Sequence, residues 1–326
     1  MADEVFIQTA SSWCGDKRSS RPPWRFLTVT AVVLIMPDEP YEVVTDGPPA
    51  LSWDDYSEEV IQEWAIFLKR PPANEREVHK FLEKHPCLVP GHDAFVGATP
   101  ENYFHPPNPL RQMLVSQPPL PGITKKVPDF LWLPNDSQTQ WAVMVEIEDP
   151  KKRWFTDRCQ PTAQLTQALS QIASWKQHLS SPTNQLLFRE MYGPIGYHLE
   201  FKYCLIYGRR DDPSRTHDAI GSLKALAPDI VTMTYDRLRP DEGARNQICV
   251  RHLNGNFKAI TVPATYKTSP SDAWYVKDIT NKSQAVHESP HFTPDRADFL
   301  ASRFAYWEEQ FSDARYQVGR DPHFGE

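Results

Sequence analysis

The chain has 326 residues, of which 40% are hydrophobic and 12% aromatic, so it can bury one large core or two ordinary ones. Its formal net charge of -7 gives no general attraction to nucleic acid, so contact with DNA or RNA would depend on a local basic edge. Its five cysteines are scattered and odd in number, which favours a reducing compartment, and we expect a cytoplasmic protein.

The N-terminal 55 residues are interrupted by prolines and contain one strand candidate near residues 26–36. The longest apolar run, Ala31 to Met36, is far shorter than the roughly 20 residues that a membrane helix needs, and no signal peptide precedes it. We therefore expect no membrane partner, and an N-terminal extension or small β unit in this part of the chain.

Two helices are predicted next, with Pro71-Pro72 between them. Residues 57–70 and residues 74–85 both carry apolar side chains at helical spacing. A proline-rich segment over residues 100–121 follows, and it is predicted to form an extended loop.

A β-hairpin is predicted where residues 130–133 and 141–147 flank a polar turn. A turn centred near residue 137 places Asp129 opposite Val145, and a register shifted by one residue places it opposite Glu146. In both registers the carboxylates of Asp129 and Glu146 belong to neighbouring cross-strand pairs.

Glu146 and Glu148 share one face of the second strand and lie about 6.6 to 7 Å apart along it, while the alternate residues point into apolar packing. Mg²⁺ prefers hard oxygen ligands and is held by two or three carboxylates plus a substrate phosphate. Such an ion polarises a phosphoryl oxygen and lowers the pKa of a bound water. With Asp129, this pattern predicts a divalent-metal site of the kind that cuts phosphodiesters, although each half alone suits a turn or a solvated strand face.

The C-terminal half of the chain predicts an α/β continuation. A helix from about residue 162 to 178 has Gln167 and Gln171 at the border of its apolar stripe. Alternating strand and helix patterns follow, at residues 201–207, 216–226 and 230–235. A second hairpin turns at Asn254-Gly255, and a final helix lies near residues 295–311. Together the elements predict a mixed sheet flanked by helices.

These motifs resemble those of the Shedu family, whose core is a PD-(D/E)XK nuclease fold used in bacterial defence against phage. Pro128-Asp129-Phe130 looks like the PD motif, residues 145–150 like the ELKxP strand, and residues 168–175 like the AxxQxxxY helix. Three further segments look similar to family elements: residues 74–86 to the helix before the core, residues 205–209 to the IGR element, and residues 234–238 to the TYDxL element.

The resemblance implies a PD-(D/E)XK nuclease-like mixed central β-sheet flanked by helices, with an N-terminal extension. Residues 1–73 would be this extension, with a regulatory or sensing role. Residues 74–245 would be the nuclease core. Residues 246–326 lie outside the resemblance, and we expect them to complete the core or make oligomer contacts. The implied cofactor is Mg²⁺ or Mn²⁺, the substrate is phage or other foreign DNA, and the assembly is a homo-oligomer, with a tetramer as one option.

By the same resemblance, Asp129 and Glu146 would be metal ligands, and Gln171 would help to position the metal or a phosphate. Two residues depart from the family pattern. Trp175 replaces a tyrosine, keeps the aromatic ring and is expected to pack. Glu148 replaces a lysine, which adds a negative charge and removes a positive one.

The departure at Glu148 leaves two alternatives. In one, Glu148 is a third metal ligand of an active endonuclease, and Lys151 or Lys152 supplies the missing positive charge from beyond Pro150. In the other, the fold has lost catalysis and serves as a nucleic-acid-binding or assembly module.

Basic residues bracket the acidic trio in sequence, and four of them are expected to contact nucleic-acid phosphates: Lys126, Lys151, Lys152 and Arg153. Other chemistries are disfavoured. The spacing of His79, His85, Cys87 and His92 fits no standard zinc signature. The chain shows no Gly-rich phosphate loop, and Cys159 has no visible base partner.

Overall fold

The computed structural model describes residues 42, 44–70, 74–91, 108–109, 113–135, 138–193, 198–269, 273 and 276–312. They belong to the compact unit that runs from Tyr41 to Glu326. The strand expected near residues 26–36, His92 and part of the proline-rich segment lie outside the described residues.

Ten described strands form a mixed sheet, in the order β1-β4-β5-β3-β2-β8-β9-β10, with β6 beside β5 and β7 beside β6. The strands are β1 Asn108–Pro109, β2 Met113–Ser116, β3 Phe130–Trp132, β4 Pro134–Asn135, β5 Thr139–Ile147, β6 His198–Ile206, β7 Ile230–Met233, β8 Ile248–Leu253, β9 Asn256–Thr261 and β10 Ile279–Thr280. The helices that accompany it are α1 Trp53–Lys69, α2 Glu75–Lys84, α3 Ala163–Leu179, α4 Pro182–Tyr192, α5 His217–Leu226, α6 Lys282–Glu288 and α7 Pro294–Ser312. The predicted α/β class, a mixed sheet flanked by helices, is confirmed.

Strand β5 lies at the centre of this architecture. It pairs antiparallel with β3 on one side and parallel with β6 on the other. Ala142 and Met144 pack with α3 on one face, while Val143, Val145 and Ile147 pack with α1 and α2 on the other. Because both faces of β5 are covered, any polar side chain at its end is drawn into a buried environment.

Helix α1 starts earlier than the pattern predicts, because Ser52 caps it by accepting a hydrogen bond from the Asp55 N–H at 3.1 Å. Helix α2 begins with a capping box in which Asn74 and Glu77 bond each other's backbone N–H groups. Of the described helices, none is long and apolar enough to cross a bilayer.

Two elements contradict the expectations for their segments. The proline-rich stretch is not a loop throughout, since Met113–Ser116 is the buried strand β2, between β3 and β8. Residues 182–192 form α4, for which the sequence analysis predicts no element, and Pro182 occupies the first helical turn, where it is tolerated.

Candidate metal and nucleic-acid site

The predicted acidic residues meet where β3 begins and β5 ends. Phe130 is opposite Val145 and Asn135 is opposite Gln140, so the connecting turn is centred between residues 137 and 138. The register that places Asp129 opposite Val145 is therefore wrong. The register shifted by one residue is the observed one, and it brings Asp129 beside Glu146.

Asp129 is held from two sides by the main chain. Its Oδ2 accepts a hydrogen bond from the Ile147 N–H at 2.9 Å, and its backbone carbonyl accepts one from the Gln117 N–H at 2.7 Å. The other carboxylate oxygen, Oδ1, lies 3.8 Å from Nε2 of His79, whose ring stacks on Phe130. The aspartate therefore has a fixed orientation towards the end of β5.

Glu146 is the most deeply buried acid of the trio, with a relative exposure of 5%. Its Oε1 accepts a hydrogen bond from Gln171 Nε2 at 2.5 Å, so helix α3 contacts the sheet at the predicted glutamine. Its buried Oε2 takes no hydrogen bond from any donor group among the described residues. A solvated strand face is therefore the wrong description of Glu146.

Glu148 continues the strand pairing beyond β5. Its N–H donates to the Ile206 carbonyl at 3.0 Å, and its own carbonyl accepts from the Tyr235 hydroxyl at 2.5 Å. Its carboxylate is buried and forms an ion pair with Lys152 Nζ. The Lys152 Nζ also lies 3.8 Å from Glu75 Oε2.

Glu75 is a member of the cluster that the sequence pattern does not predict. Glu75 is the first residue of α2, where an acid is ordinarily explained by its favourable interaction with the helix dipole. Its position in the cluster follows from the packing of α2, which is a long-range contact. The only sequence signal was its inclusion in the segment that resembles the helix before the family core.

The carboxyl groups perturb one another. Burial, and then the negative charge of Asp129, raises the pKa of Glu146 well above its ordinary value. Burial also raises the pKa of Asp129, although the Ile147 N–H opposes that shift. Burial and the charge of Glu148 raise the pKa of Glu75. The three raised pKa values all indicate that the cluster favours the uptake of a proton or of another cation.

The four basic residues that were expected to contact phosphate have different surroundings. Lys152 lies within the acidic cluster, while Lys126 Nζ donates to Ser174 on helix α3 at 3.3 Å, one turn beyond the glutamine that contacts the cluster. Arg153 forms an exposed ion pair with Asp157 at 2.6 Å, and the Lys151 side chain is exposed. Within the described part of the chain, only Lys152 of these four contacts the acidic trio directly.

The donor types of the cluster fit a hard divalent cation, since carboxylate oxygens predominate and Oε2 of Glu146 has no donor in the part of the chain that the structure describes. The present side-chain positions do not form a ready-made shell, because no group of three or more His, Cys, Asp or Glu among the described residues could hold a metal ion. Lys152 and Gln171 each occupy one carboxylate oxygen of the trio. Metal binding would therefore require side-chain movement at Glu148.

Residues outside the trio also have defined environments. Trp175 is buried and packs in the α3 side of the core, as expected for a retained aromatic ring. His85 and Cys87 are buried near Tyr56, and burial lowers the pKa of His85 to about 3 and raises that of Cys87 to about 12.

A mixed sheet with carboxylates at the end of its central strand and a polar contact from the next helix defines an α/β protein of nuclease-like fold. Residues 73–238 match the family described as Shedu protein SduA, C-terminal, which is just over half of the chain, and the chain belongs to that family. No curated protein matches the chain. Family membership supports a role in antiphage defence.

Proposed function

We propose that the chain is a metal-dependent DNA endonuclease of antiphage defence, which hydrolyses phosphodiester bonds at a site built from Asp129, Glu146 and Glu148. The observation that carries this proposal is the buried carboxyl group of Glu146, which has one oxygen without a donor among the described residues and the acid Asp129 beside it. Such an arrangement is costly unless a proton or a cation joins it. A hard divalent ion removes that cost and leaves coordination positions for water and phosphate.

The residues divide into ligands and supports. Asp129, Glu146 and Glu148 would hold Mg²⁺ or Mn²⁺, which supplies polarisation of the phosphoryl oxygen and acidification of a bound water. Gln171 orients Glu146 through the hydrogen bond to Oε1. The Ile147 N–H orients Asp129 in the same way. In hydrolysis the water oxygen bonds to phosphorus, the bond to the leaving oxygen breaks, and the leaving oxygen takes up a proton.

DNA would be held through its phosphates. Lys126 extends along the α3 face that carries Gln171, and Lys151 and Arg153 follow the end of β5. Basic groups on either side of a metal site lower the repulsion between the acidic cluster and an approaching backbone. Phage DNA is the proposed substrate because the family supports a defence role.

A catalytically inactive nuclease fold that binds nucleic acid is the second candidate. The ion pair between Glu148 and Lys152 favours it, because a lysine already neutralises one of the proposed ligands. In this case the cluster would keep its fold and its DNA contacts without holding a metal.

Incubating the purified chain with linear and circular DNA separates the two candidates. Cutting that requires Mg²⁺ or Mn²⁺, stops with a chelator and is lost in Glu146→Ala supports the endonuclease. Glu190→Ala, on the exposed surface of α4, is the matched control and should cut like the wild type. DNA binding without cutting in either metal would overturn the endonuclease and support the binding module.

We also propose a homo-oligomer, with a tetramer as one option, that acts in the cytoplasm. The described cysteines are free, which suits a reducing compartment. Light scattering gives the assembly directly. A mass near the 37.5 kDa of one chain would contradict the proposed homo-oligomer.

A further inference from the structure

We propose that Lys152 is a catalytic residue of this reaction. Its ammonium group contacts the phosphate that is cut and stabilises the negative charge that develops there, and Glu148 and Glu75 hold it in place. The inference rests on the proposed endonuclease activity. It assigns the positive charge of the site to a residue that lies beyond the end of the strand.

The first support is the path of the chain after β5. The Lys152 N–H donates to the Asp149 carbonyl at 3.0 Å, which closes a tight turn. The Asp149 side chain stabilises that turn by accepting a hydrogen bond from the Lys151 N–H at 2.8 Å. The turn reverses the chain, so the Lys152 side chain returns to Glu148 and its Nζ bonds that carboxylate.

The second support is the second carboxylate that faces the same ammonium group. Lys152 Nζ lies 3.8 Å from Glu75 Oε2, at the start of α2. The lysine therefore lies between two acids that come from distant parts of the chain. An ammonium group in this position can reach a phosphate bound at the carboxylates with a small rotation of its flexible stem.

The third support is the rigidity of the backbone that carries the lysine. The Arg153 carbonyl accepts hydrogen bonds from the Thr162 hydroxyl at 2.9 Å and from the Tyr207 hydroxyl at 3.3 Å. The Trp154 N–H donates to Asp212 Oδ2 at 2.7 Å. Groups that stabilise a transition state act best when their position is fixed beforehand, and these bonds fix the backbone that directly follows Lys152.

The fourth support is a close approach at Gly208, in the loop that follows β6. Gly208 has a φ of 55°, and a Cβ added there would lie 2.7 Å from the Lys152 carbonyl oxygen. The loop after β6 therefore packs directly against the backbone of Lys152. A glycine is required both for this conformation and for this contact.

The neighbouring basic residues lack these features. Lys151 has an exposed side chain, and Arg153 is paired with Asp157 at 2.6 Å on the surface. Lys224, exposed on α5, carries the same charge outside the proposed site and is the matched control.

The test compares Lys152→Met, Lys152→Arg and Lys224→Met in the full chain. We expect Lys152→Met to slow single-turnover cutting with Mn²⁺ by about 100- to 1000-fold, as for the loss of one stabilising donor. Mn²⁺ affinity by calorimetry should not weaken by more than about threefold, because loss of the ammonium group leaves Glu148 free for the metal. DNA affinity with Ca²⁺ by fluorescence anisotropy should stay within about threefold of the wild type. Lys152→Arg should cut faster than Lys152→Met, and Lys224→Met should cut within about threefold of the wild type.

Three results would overturn the assignment. If Lys152→Met cuts at the wild-type rate, the lysine is not catalytic. If the same variant loses Mn²⁺ affinity by about tenfold or more, Lys152 only positions Glu148. If the wild type cuts no DNA with Mg²⁺ or Mn²⁺, the proposed function fails and this assignment fails with it. Circular dichroism checks folding, and Lys152→Gln replaces Lys152→Met under the same criteria if the latter does not fold.

Discussion

Replacing Glu146 with glutamine is expected to stabilise the protein in the absence of metal and to abolish metal-dependent cutting. In the wild type, Oε1 accepts the Gln171 N–H at 2.5 Å, whereas the buried Oε2 takes no hydrogen bond from a described donor and has Asp129 beside it. A glutamine keeps the acceptor and places an NH₂ group where Oε2 now lies. That group donates to the Asp129 carboxylate, so a repulsive contact becomes a hydrogen bond.

The magnitude follows from the two atoms that change. An unpaired buried polar atom costs about 1–3 kcal/mol, and a hydrogen bond to a charged group contributes about 1.5–3 kcal/mol. The two effects overlap and do not add fully. We therefore expect the free energy of unfolding to rise by about 2 kcal/mol at pH 8. For a chain of this size, the melting temperature should rise by about 4–6 °C.

The gain should depend on pH in a defined direction. Burial, and then the charge of Asp129, raises the pKa of Glu146 in the folded protein. A carboxyl group with a raised folded pKa contributes stability below its unfolded pKa of about 4.3, and that stability is lost as the pH rises through the folded value. Glutamine does not titrate and has no such loss. The variant should therefore exceed the wild type most at pH 8 and least near pH 4.5.

Urea denaturation in the presence of a chelator measures both quantities, at pH 8 and at pH 4.5. Glu190→Gln is the matched control, because Glu190 is exposed on α4 and its replacement should change the free energy of unfolding by less than about 0.5 kcal/mol. A Glu146→Gln variant that is less stable than the wild type at pH 8, or whose gain is equal at both pH values, would refute the buried repulsive pair.

Three further predictions concern metal binding and support of the site. Saturating Mn²⁺ should raise the free energy of unfolding of the wild type by about 2.7 kcal/mol at 100 times its Kd, and much less in Asp129→Asn, by thermal melting. Gly208→Ala should lower stability by about 1–3 kcal/mol and slow cutting, because its Cβ meets a carbonyl at 2.7 Å, whereas Gly221→Ala in open space on α5 should gain up to about 1 kcal/mol. Arg251→Met should cost about 1–3 kcal/mol, since it removes a 2.6 Å bond to a buried glutamate, and the exposed-pair control Arg245→Met less than about 1 kcal/mol. The metal prediction would be contradicted if Mn²⁺ stabilised Asp129→Asn as much as the wild type. The other two would be contradicted if Gly208→Ala and Gly221→Ala, or Arg251→Met and Arg245→Met, changed stability equally.

The hairpin could be predicted from sequence because its signals are local. Alternation and a polar turn determine which residues form β3 and β5, and they place Asp129 and Glu146 near each other. The sequence pattern predicts the length of the turn only to within one residue. That single residue decides whether Asp129 faces Val145 or Glu146, because side chains alternate between the two faces of a strand.

Elements that depend on distant partners were beyond the reach of local patterns. Strand β2 is short and lies among prolines, and it forms because β3 and the distant strand β8 pair with its two edges. The contact between Glu75 and Lys152 belongs to the same category. Their contact joins the start of α2 to a turn after β5, and no periodicity in the chain connects those two segments.

The charges of the site connect the carboxylates to the lysine. When all are ionised, Asp129, Glu146, Glu148 and Glu75 oppose a single ammonium group, so three negative charges remain uncompensated. Burial, and then this excess of negative charge, raises the pKa values of Glu146 and Glu75. One divalent ion would still leave a negative site, which repels a phosphodiester, if Lys152 stayed bound between its two acids. If a metal ion replaced Lys152 at Glu148, the ammonium group would be free to turn towards the phosphate. Glu148 would then be a ligand that exchanges a lysine for a metal, and in the proposed endonuclease its presence would be compatible with catalysis.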